Sequence, residues 1–300
     1  MTNQGSALHL PPASPQRRLA SFMHRHPRLR LGSLLAAPVG WLVIAYLGSL
    51  VLFLVSSFWS VDSFTGNLVY QPNLDNYLEI ATTEVYRTIA LRTVFMAALV
   101  SLTTVLLAFP IAFYMAKLAS ARMRGLLVVS ILLPLWSGYL VKVYAWRLIL
   151  SESGVLNGVL APLGLHGPGY GDIAVWLVET YLWLPYMIIP IFAGLERVPG
   201  SLLEASSDLG GRALVTFRRV VLPLVLPSVI AGSIFTFSLT LGDYITPTLV
   251  SNTKFLGNVI YDFLGVAGNQ PFAAAYGMVP VVIMIGYLLI ARRLGAFEAL

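Results

Sequence analysis

The segment EASSDLGGRALVTFRRVVLPLVLP (residues 204–227) joins a polar, glycine-containing stretch to a long apolar run. Its first eight residues carry two carboxylates, two serines and two glycines, and apolar runs flank it on both sides. Polar side chains are costly inside an apolar layer. The segment is therefore expected to be an exposed connection between two apolar helices.

Within this connection the residue spacing predicts a short helix–turn–helix. Glu204 and Asp208 lie four residues apart on one helix face, and small or apolar residues recur at helical intervals on another. Gly210 and Gly211 follow, and glycine permits a sharp turn and close backbone approach. The apolar face consists of Leu202, Ala205, Leu209 and Ala213. Such a hairpin would present a knob to another protein.

The composition places the chain in a membrane. Of its 300 residues, 57% are hydrophobic and only 11% are charged, whereas a soluble domain carries about 25% charged residues. So few charges cannot cover a core of this size with a polar shell. The chain has no cysteine, which excludes disulfides and thiolate metal sites.

Six apolar runs are long enough to cross a membrane, since a helix needs about 20 apolar residues to do so. The fold class is therefore all-α, with six transmembrane helices forming a membrane domain over residues 31–300. Residues 1–30 precede them as a cytoplasmic tail that is expected to be partly disordered. Prolines in the spans favour a packed bundle around a pathway. The spans cover residues 31–58, 89–118, 126–150, 173–195, 220–241 and 272–291.

Basic residues set the expected orientation. Most of the 19 Lys and Arg residues lie before span one, in alternate connections after it, and after span six, whereas acids dominate the other connections. The positive-inside rule then places both termini and the opening segment in the cytoplasm. This topology explains the net charge of +6, and no nucleic-acid partner is expected.

The sequence contains no recognisable ATP site or metal site. It lacks a GxxxxGK[ST] phosphate loop, and its four histidines show no ligand spacing. No GxSxG nucleophile motif is present either. We therefore expect neither catalysis nor a bound cofactor or metal. Uphill transport would need energy from a partner or from an ion gradient.

The opening segment closely resembles the EAA signature of the membrane subunits of ABC importers. The tripeptide at 204–206 is followed after three residues by Gly210, and nine more residues lead to Val220 and then to Leu222-Pro223. Ser206 and Val220 replace the Ala and Ile of the signature. Residues 133–150, 181–198 and 241–252 also resemble the permeases of polyamine uptake systems, with the importer-type core at about 88–293.

The resemblance implies a helix between spans four and five that couples to a cytoplasmic ATPase dimer, which uses ATP and Mg. It also implies a second permease subunit, a different chain, and an external substrate-binding protein. Residues 201–219 would form the coupling region. The alternative is an ordinary loop whose acids stabilise helix N-termini. The residues assigned to coupling are Glu204, Ala205, Ser206, Asp208, Gly210, Val220, Leu222 and Pro223.

Candidates for the solute path begin in span three. If residues 126–150 form one continuous helix, Trp136, Tyr139 and Trp146 lie within an arc of about 80°. An aromatic face near mid-membrane would attract an ammonium group by cation–π contact. The alternative is packing for the first two rings and an interfacial position for Trp146.

Three further path candidates lie in spans four and five. Glu179 is the carboxylate clearly inside a span, so it should face a cavity or pair with Lys142 or Arg147. Asp243 and Tyr244 end span five, where a carboxylate would attract a cationic solute. Asp243 would equally suit a solvated loop.

These observations favour an importer permease for a small cation, a polyamine above all. Opines and aminophosphonates are alternative solutes for permeases of similar sequence. An ion-coupled secondary transporter is a more distant alternative, but the two halves of the chain show no convincing repeat. A membrane scaffold would leave the prolines and Glu179 without a purpose.

Overall fold

The computed structural model describes residues 27–62 and 64–293, which are almost entirely helical. The chain divides between Val55 and Ser56 into two compact units. The first is the helix α1, made of Pro27–Trp41, a π-helical segment Leu42–Leu47, and Gly48–Ser56 at the boundary. Most of the predicted tail, residues 1–26, lies outside the described residues.

The second unit starts with a small hairpin that the all-α prediction omits. Strands β1 (Ser60–Val61) and β2 (Leu68–Val69) pair antiparallel. Between them, Asp62 Oδ1 accepts hydrogen bonds from the Thr65 and Phe64 backbone N–H groups at 2.7 and 3.0 Å. These bonds, with one from the Thr65 hydroxyl, lower the pKa of Asp62.

Twelve helices follow in the second unit, several of them continued by a short turn of different pitch. In chain order they are α2 (Asp75–Thr82), α3 (Glu84–Phe113, continued by the π-helical Tyr114–Leu118), α4 (Ala121–Trp136), α5 (Tyr139–Leu150), α6 (Val155–Leu160, continued by the 3-10 turn Ala161–Leu163), α7 (Asp172–Glu196), α8 (Gly200–Asp208), α9 (Ala213–Thr216, continued by the π-helical Phe217–Val221), α10 (Leu222–Gly242), α11 (Ile245–Val250), α12 (Leu256–Gly265) and α13 (Gln270–Arg293).

Five helical segments of the described chain are long and apolar enough to cross a membrane. They correspond to the predicted spans one, two, four, five and six. The α4–α5 pair makes a sixth if the bent pair is counted as one span.

The continuous helix predicted for span three is wrong. α4 and α5 meet at 94°, because Ser137 and Gly138 are extended, with ψ of 139° and 137°. Pro134 lies just before the break, and its carbonyl accepts a 3.3 Å bond from Ser137 N–H. The shared face of Trp136, Tyr139 and Trp146 therefore does not exist.

The centre of the second unit is formed by α3, α7 and α10. α7 buries more of its span than the other long helices do. Small residues let it approach α10 closely, as is common between membrane helices. A Cβ at Gly194 would lie 2.3 Å from Ser228 Oγ, and one at Gly232 would lie 2.8 Å from Met187 Sδ.

Candidate coupling segment and buried polar site

The helix α8 lies between α7 and α10 and carries the EAA-like residues on its exposed surface. Leu203 packs inward on a cluster that contains Val198 and Val221. The opposite, apolar face is exposed: Leu202 is 42% exposed and Leu209 is 89% exposed. Ala205, Ala213, Glu204 and Asp208 are exposed too. Both faces predicted from the spacing are therefore accessible.

A tight turn closes the hairpin after α8. Gly210 has φ +78°, a left-handed conformation that favours glycine. The N–H groups of Gly210 and Gly211 donate to the carbonyls of Ser207 and Ser206, each at 2.8 Å. Ser206 Oγ also lies 2.8 Å from Thr216 Oγ1 on α9. The Ser that replaces Ala in the signature thus joins the two arms of the hairpin.

The rest of the EAA-like sequence leads into α10. Val220 lies in the π-helical segment before that helix and is half-buried. Leu222 is the first residue of α10, and Pro223 is the second. Residues 213–242 form one continuous helix, so Pro223 removes one helical N–H, and the π-helical turn Phe217–Val221 lies directly before it.

The start of α8 is tied to the junction of α3 and α4. Lys117 Nζ donates to the Val198 carbonyl at 2.7 Å. Arg124 forms a 3.2 Å ion pair with Glu196 and donates from Nε to the Met115 carbonyl at 3.1 Å. These bonds tie the end of α7 and the connection before α8 to the end of α3 and the start of α4.

The second candidate site lies where α5, α7 and α10 meet. Asp243 directly follows α10 and is only 9% exposed, so it is not a solvated loop acid. Its Oδ1 accepts from the Ile245 and Thr246 N–H groups at 2.9 and 3.3 Å. Its Oδ2 accepts from the hydroxyls of Tyr139 and Thr246. The carboxylate thus fixes the start of α11 and holds α5 against it.

Glu179 lies deeper in the same site and is 1% exposed. Its neighbours include Thr240 and Asp243. Four buried polar atoms lack hydrogen-bond partners within the described chain: Glu179 Oε2, Thr180 Oγ1, Trp183 Nε1 and Thr240 Oγ1. Unpaired buried polar atoms are costly, and their concentration on α7 and α10 marks this region as a polar site.

The predicted pairing of Glu179 with Lys142 or Arg147 is wrong. The ion pairs within residues 27–62 and 64–293 are Arg124–Glu196 and Lys254–Asp262. The guanidinium of Arg147 instead lies 6.0 Å from the ring centre of Tyr170.

The structure brings together three of the five predicted path residues, Tyr139, Glu179 and Asp243. Trp136 ends α4 with 91% exposure. Tyr244 stacks on Tyr261, with ring centres 4.8 Å apart. Neither contributes its side chain to the polar site.

The sequence argument missed Trp183, Thr240 and Thr246. Trp183 stacks on Tyr139 with ring centres 5.9 Å apart and planes at 9°. It follows Glu179 by four residues, so helical spacing alone would have placed both on one face. No group of three or more metal-ligating side chains occurs in the described part of the chain.

Comparison with known proteins gives relatives along most of the chain, although no family model matches. The chain is 43% identical over 299 residues to the inner membrane ABC transporter permease protein YdcU of Escherichia coli (strain K12), covering 94% of this chain and 95% of that protein. It is 31% identical over 263 residues to the spermidine/putrescine transport system permease protein PotB of the same organism, covering 85% and 94%.

Two solved structures share the fold. A bacterial ABC transporter that imports the acidic polysaccharide alginate matches with a TM-score of 0.67 and 18% identity, covering 92% of this chain and 99% of that one. The same kind of transporter, in complex with an alginate pentasaccharide-bound periplasmic protein, matches with a TM-score of 0.70 and 16% identity, covering 91% and 96%.

These relatives extend well beyond the EAA-like stretch and include α1, the central helices and α13. The spermidine/putrescine permeases are among them, as the resemblance of residues 133–150, 181–198 and 241–252 predicts. The chain belongs to the inner-membrane permeases of ABC importers.

Proposed function

We propose that this chain couples to a cytoplasmic ATPase through residues 201–219 and forms part of the path for a small cationic solute, a polyamine. The exposed α8 carries this proposal, because it presents an unused apolar stripe beside two free carboxylates at the EAA-like positions. The relationship to PotB supports the polyamine.

The proposed machine has three further components: an ATPase dimer, a second permease subunit and an external binding protein. An ATPase dimer binds ATP and Mg, and this chain contributes no cofactor of its own. A second, different permease subunit completes the path. An external binding protein delivers the solute, a role supported by the periplasmic protein in the alginate transporter complex. Both termini of the chain lie in the cytoplasm, as the distribution of basic residues indicates.

The contacts at the start of α8 suggest how movement passes from the ATPase to the membrane helices. Closure of the ATPase dimer shifts α8, and the connection that precedes α8 is bonded to the end of α3 through Lys117. The hydrogen bonds across the turn at Gly211 keep α8 and α9 together, and α9 continues into α10. The segment therefore passes a displacement to α10 and to the end of α3.

The buried acids supply the proposed preference for a cation. Asp243 and Glu179 place two carboxyl groups beside the stacked rings of Tyr139 and Trp183. A carboxylate and an aromatic face are both attractive to an ammonium group. The site is closed in this structure, so the solute reaches it when α5 moves away from the α10–α11 junction.

The proposal is tested by measuring ATP hydrolysis in the assembled importer with its binding protein. Putrescine, spermidine, an opine and an aminophosphonate are added in turn. Stimulation by a polyamine supports both the machine and the solute class. Stimulation by another solute alone keeps the importer and rejects the polyamine, and absence of any associated ATPase rejects coupling.

The Glu204→Lys variant tests the coupling helix directly. Reversing the charge on the exposed face of α8 should abolish uptake, while the protein remains inserted and folded. Glu152→Lys is the matched control, because it makes the same change at an exposed position of the α5–α6 connection. Normal uptake by Glu204→Lys in proteoliposomes would contradict the assignment.

A further inference from the structure

Lys142 is a half-buried cation without a counter-ion in the described chain. It lies in the first turn of α5, next to the break from α4. Its ammonium group makes no ion pair with the acids of residues 27–62 and 64–293, whose pairs are those of Arg124 and Lys254. A lysine in a membrane segment is costly unless an anion or water compensates its charge. No anion of the described chain compensates this charge, so an anionic partner would have to come from outside it.

The two buried acids of the polar site face away from Lys142. Glu179 is buried on the side of α7 that faces Thr240 and Asp243. Tyr181 follows Glu179 by two residues, which is about 200° around a helix, and it faces the groove that Lys142 lines. Asp243 is already fully engaged with Tyr139, Thr246 and backbone N–H groups. Neither carboxylate is oriented to neutralise Lys142.

Lys142 and Tyr181 lie where two cavities of the α4–α5 elbow adjoin. One cavity, of about 360 Å³, extends between α4 and α7. The other, of about 350 Å³, lies along α5 and includes Trp146. Both volumes fall in the range of ~300–1,000 Å³ that is typical of ligand sites.

The larger cavity is elongated and apolar. Leu127, Ile131 and Leu135 line it along α4, and their spacing of four residues puts them on one helix face. From the first to the last they extend about 12 Å along the helix. Leu184 and Ile188 line the opposite side on α7. This surface fits a hydrocarbon chain, and a small hydrophilic solute would gain nothing from it.

We propose that this elbow groove binds an anionic phospholipid. The lipid phosphate pairs with Lys142, and one acyl chain occupies the apolar cavity between α4 and α7. The charge requirement favours an anionic headgroup over a zwitterionic one, and the same positive charge repels a polyamine. A lipid there would stabilise the packing of the bent α4–α5 pair against α7. No acidic side chain of the described chain pairs with Lys142 at this place. This inference is independent of the proposed solute.

Native mass spectrometry of the assembled importer tests the lipid site. The complex is delipidated and titrated with phosphatidylglycerol or phosphatidylethanolamine, and bound lipids are counted. We expect one phosphatidylglycerol per chain to be retained in the native protein and in Lys142→Arg. In Lys142→Met its affinity should fall about tenfold, as expected for one charged hydrogen bond. Lys254→Met, which removes the same charge from a residue paired with Asp262, should bind as the native protein does.

Other occupants of the groove give distinct results that overturn the proposal. Equal retention of both lipids, or unchanged phosphatidylglycerol binding in Lys142→Met, rejects the lipid site. If Lys142→Met instead releases the second permease subunit at unchanged lipid content, the counter-ion is a carboxylate of that subunit. If only solute-stimulated ATP hydrolysis changes, Lys142 contacts the solute.

Trp146 provides a second measurement that does not depend on the assembly of a Lys142 variant. Phospholipids brominated in the acyl chain quench nearby tryptophan, and the Trp146 contribution is the difference between the native protein and Trp146→Phe. Brominated phosphatidylglycerol should quench it more strongly than brominated phosphatidylethanolamine. Trp136, which is 91% exposed outside this groove, serves as the control through Trp136→Phe and should show no preference. Equal quenching of Trp146 by the two lipids rejects the proposal.

Discussion

The turn after α8 yields the sharpest prediction, because a single methyl group tests it. A Cβ added at Gly211 would lie 2.6 Å from both the carbonyl oxygen and Oγ of Ser206. Ordinary contact begins at 3.4 Å, so the two arms must separate by most of an ångström. The carbonyl belongs to the backbone, and no side-chain rotation relieves the clash.

Separation of the arms removes two hydrogen bonds, from Gly211 N–H to the Ser206 carbonyl and between Ser206 and Thr216. At about 1 kcal/mol each, the loss is about 2 kcal/mol. The Gly→Ala change returns ~0.5 kcal/mol by restricting the unfolded chain. The remaining ~1.5 kcal/mol corresponds to roughly a tenfold shift towards an open hairpin. If α8 transmits ATPase movement, uptake should fall, by at most that factor of ten.

The assay is ATP-driven uptake into proteoliposomes by the complete importer, with Gly200→Ala as the control. Gly200 begins α8, and a Cβ there meets nothing within 4 Å, so the same substitution leaves the hairpin closed. Membrane insertion and thermal stability of the bundle should match in both variants, since the hairpin lies outside the core. Equal uptake by Gly211→Ala and Gly200→Ala would refute the role assigned to the closed turn.

Three further predictions concern the bundle itself. Arg124→Met should lower the thermal stability of the purified protein by about 1–2 kcal/mol, because it also loses the bond to the Met115 carbonyl. Glu196→Gln removes only the exposed ion pair, so it should lower the stability by under ~1 kcal/mol. An equal loss of stability in Arg124→Met and Glu196→Gln would contradict this prediction. Gly194→Ala should lower the melting temperature, and Ser228→Gly should partly restore it; an additive double mutant would refute the predicted contact. Tyr139→Phe keeps the ring stack but should cost about 1.5–3 kcal/mol through its lost bond to Asp243, and unchanged denaturation would contradict that bond.

The hairpin of α8 and α9 was predictable from the sequence because its geometry is local. The helical spacing of Leu202 and Leu209, and the paired glycines after them, determine a hairpin over about a dozen residues. Its contacts with Thr216 are likewise close in sequence. The five continuous spans followed from length and hydrophobicity, which depend on no tertiary contact.

The polar site was predicted only in part, because its members come from four separate segments. Glu179 and Asp243 were found as carboxylates in or beside apolar runs. Trp183 was predictable from its spacing of four residues from Glu179, whereas Thr240 is an ordinary residue of a membrane helix that only the packing of α7 against α10 brings to Glu179. Composition and periodicity contain no information about which helices become neighbours.

The α4–α5 break was not foreseen from the sequence, and the prediction for span three was wrong for that reason. Apolar residues predominate from residue 126 to residue 150, so length and hydrophobicity alone predict one span there. The sequence Pro134-Leu-Trp-Ser137-Gly138 has the residues to end a helix, since proline and glycine disfavour continuation. Because of this break, Trp136 and Tyr139 do not lie on one helix face, contrary to the expectation from their spacing.

The same break places Lys142 away from the buried acids of the permease. It directs Tyr139 inward to Asp243, so Asp243 is hydrogen-bonded within the bundle and both Asp243 and Glu179 are buried there. It also leaves Lys142, three residues later, lining an outward groove without a counter-ion. Straightening of the elbow would withdraw Tyr139 from Asp243 and change the groove in one movement. Opening of the buried acidic site and release of an anion from Lys142 are therefore expected to be coupled, and phosphatidylglycerol should slow solute-stimulated ATP hydrolysis in the native protein more than in Lys142→Met.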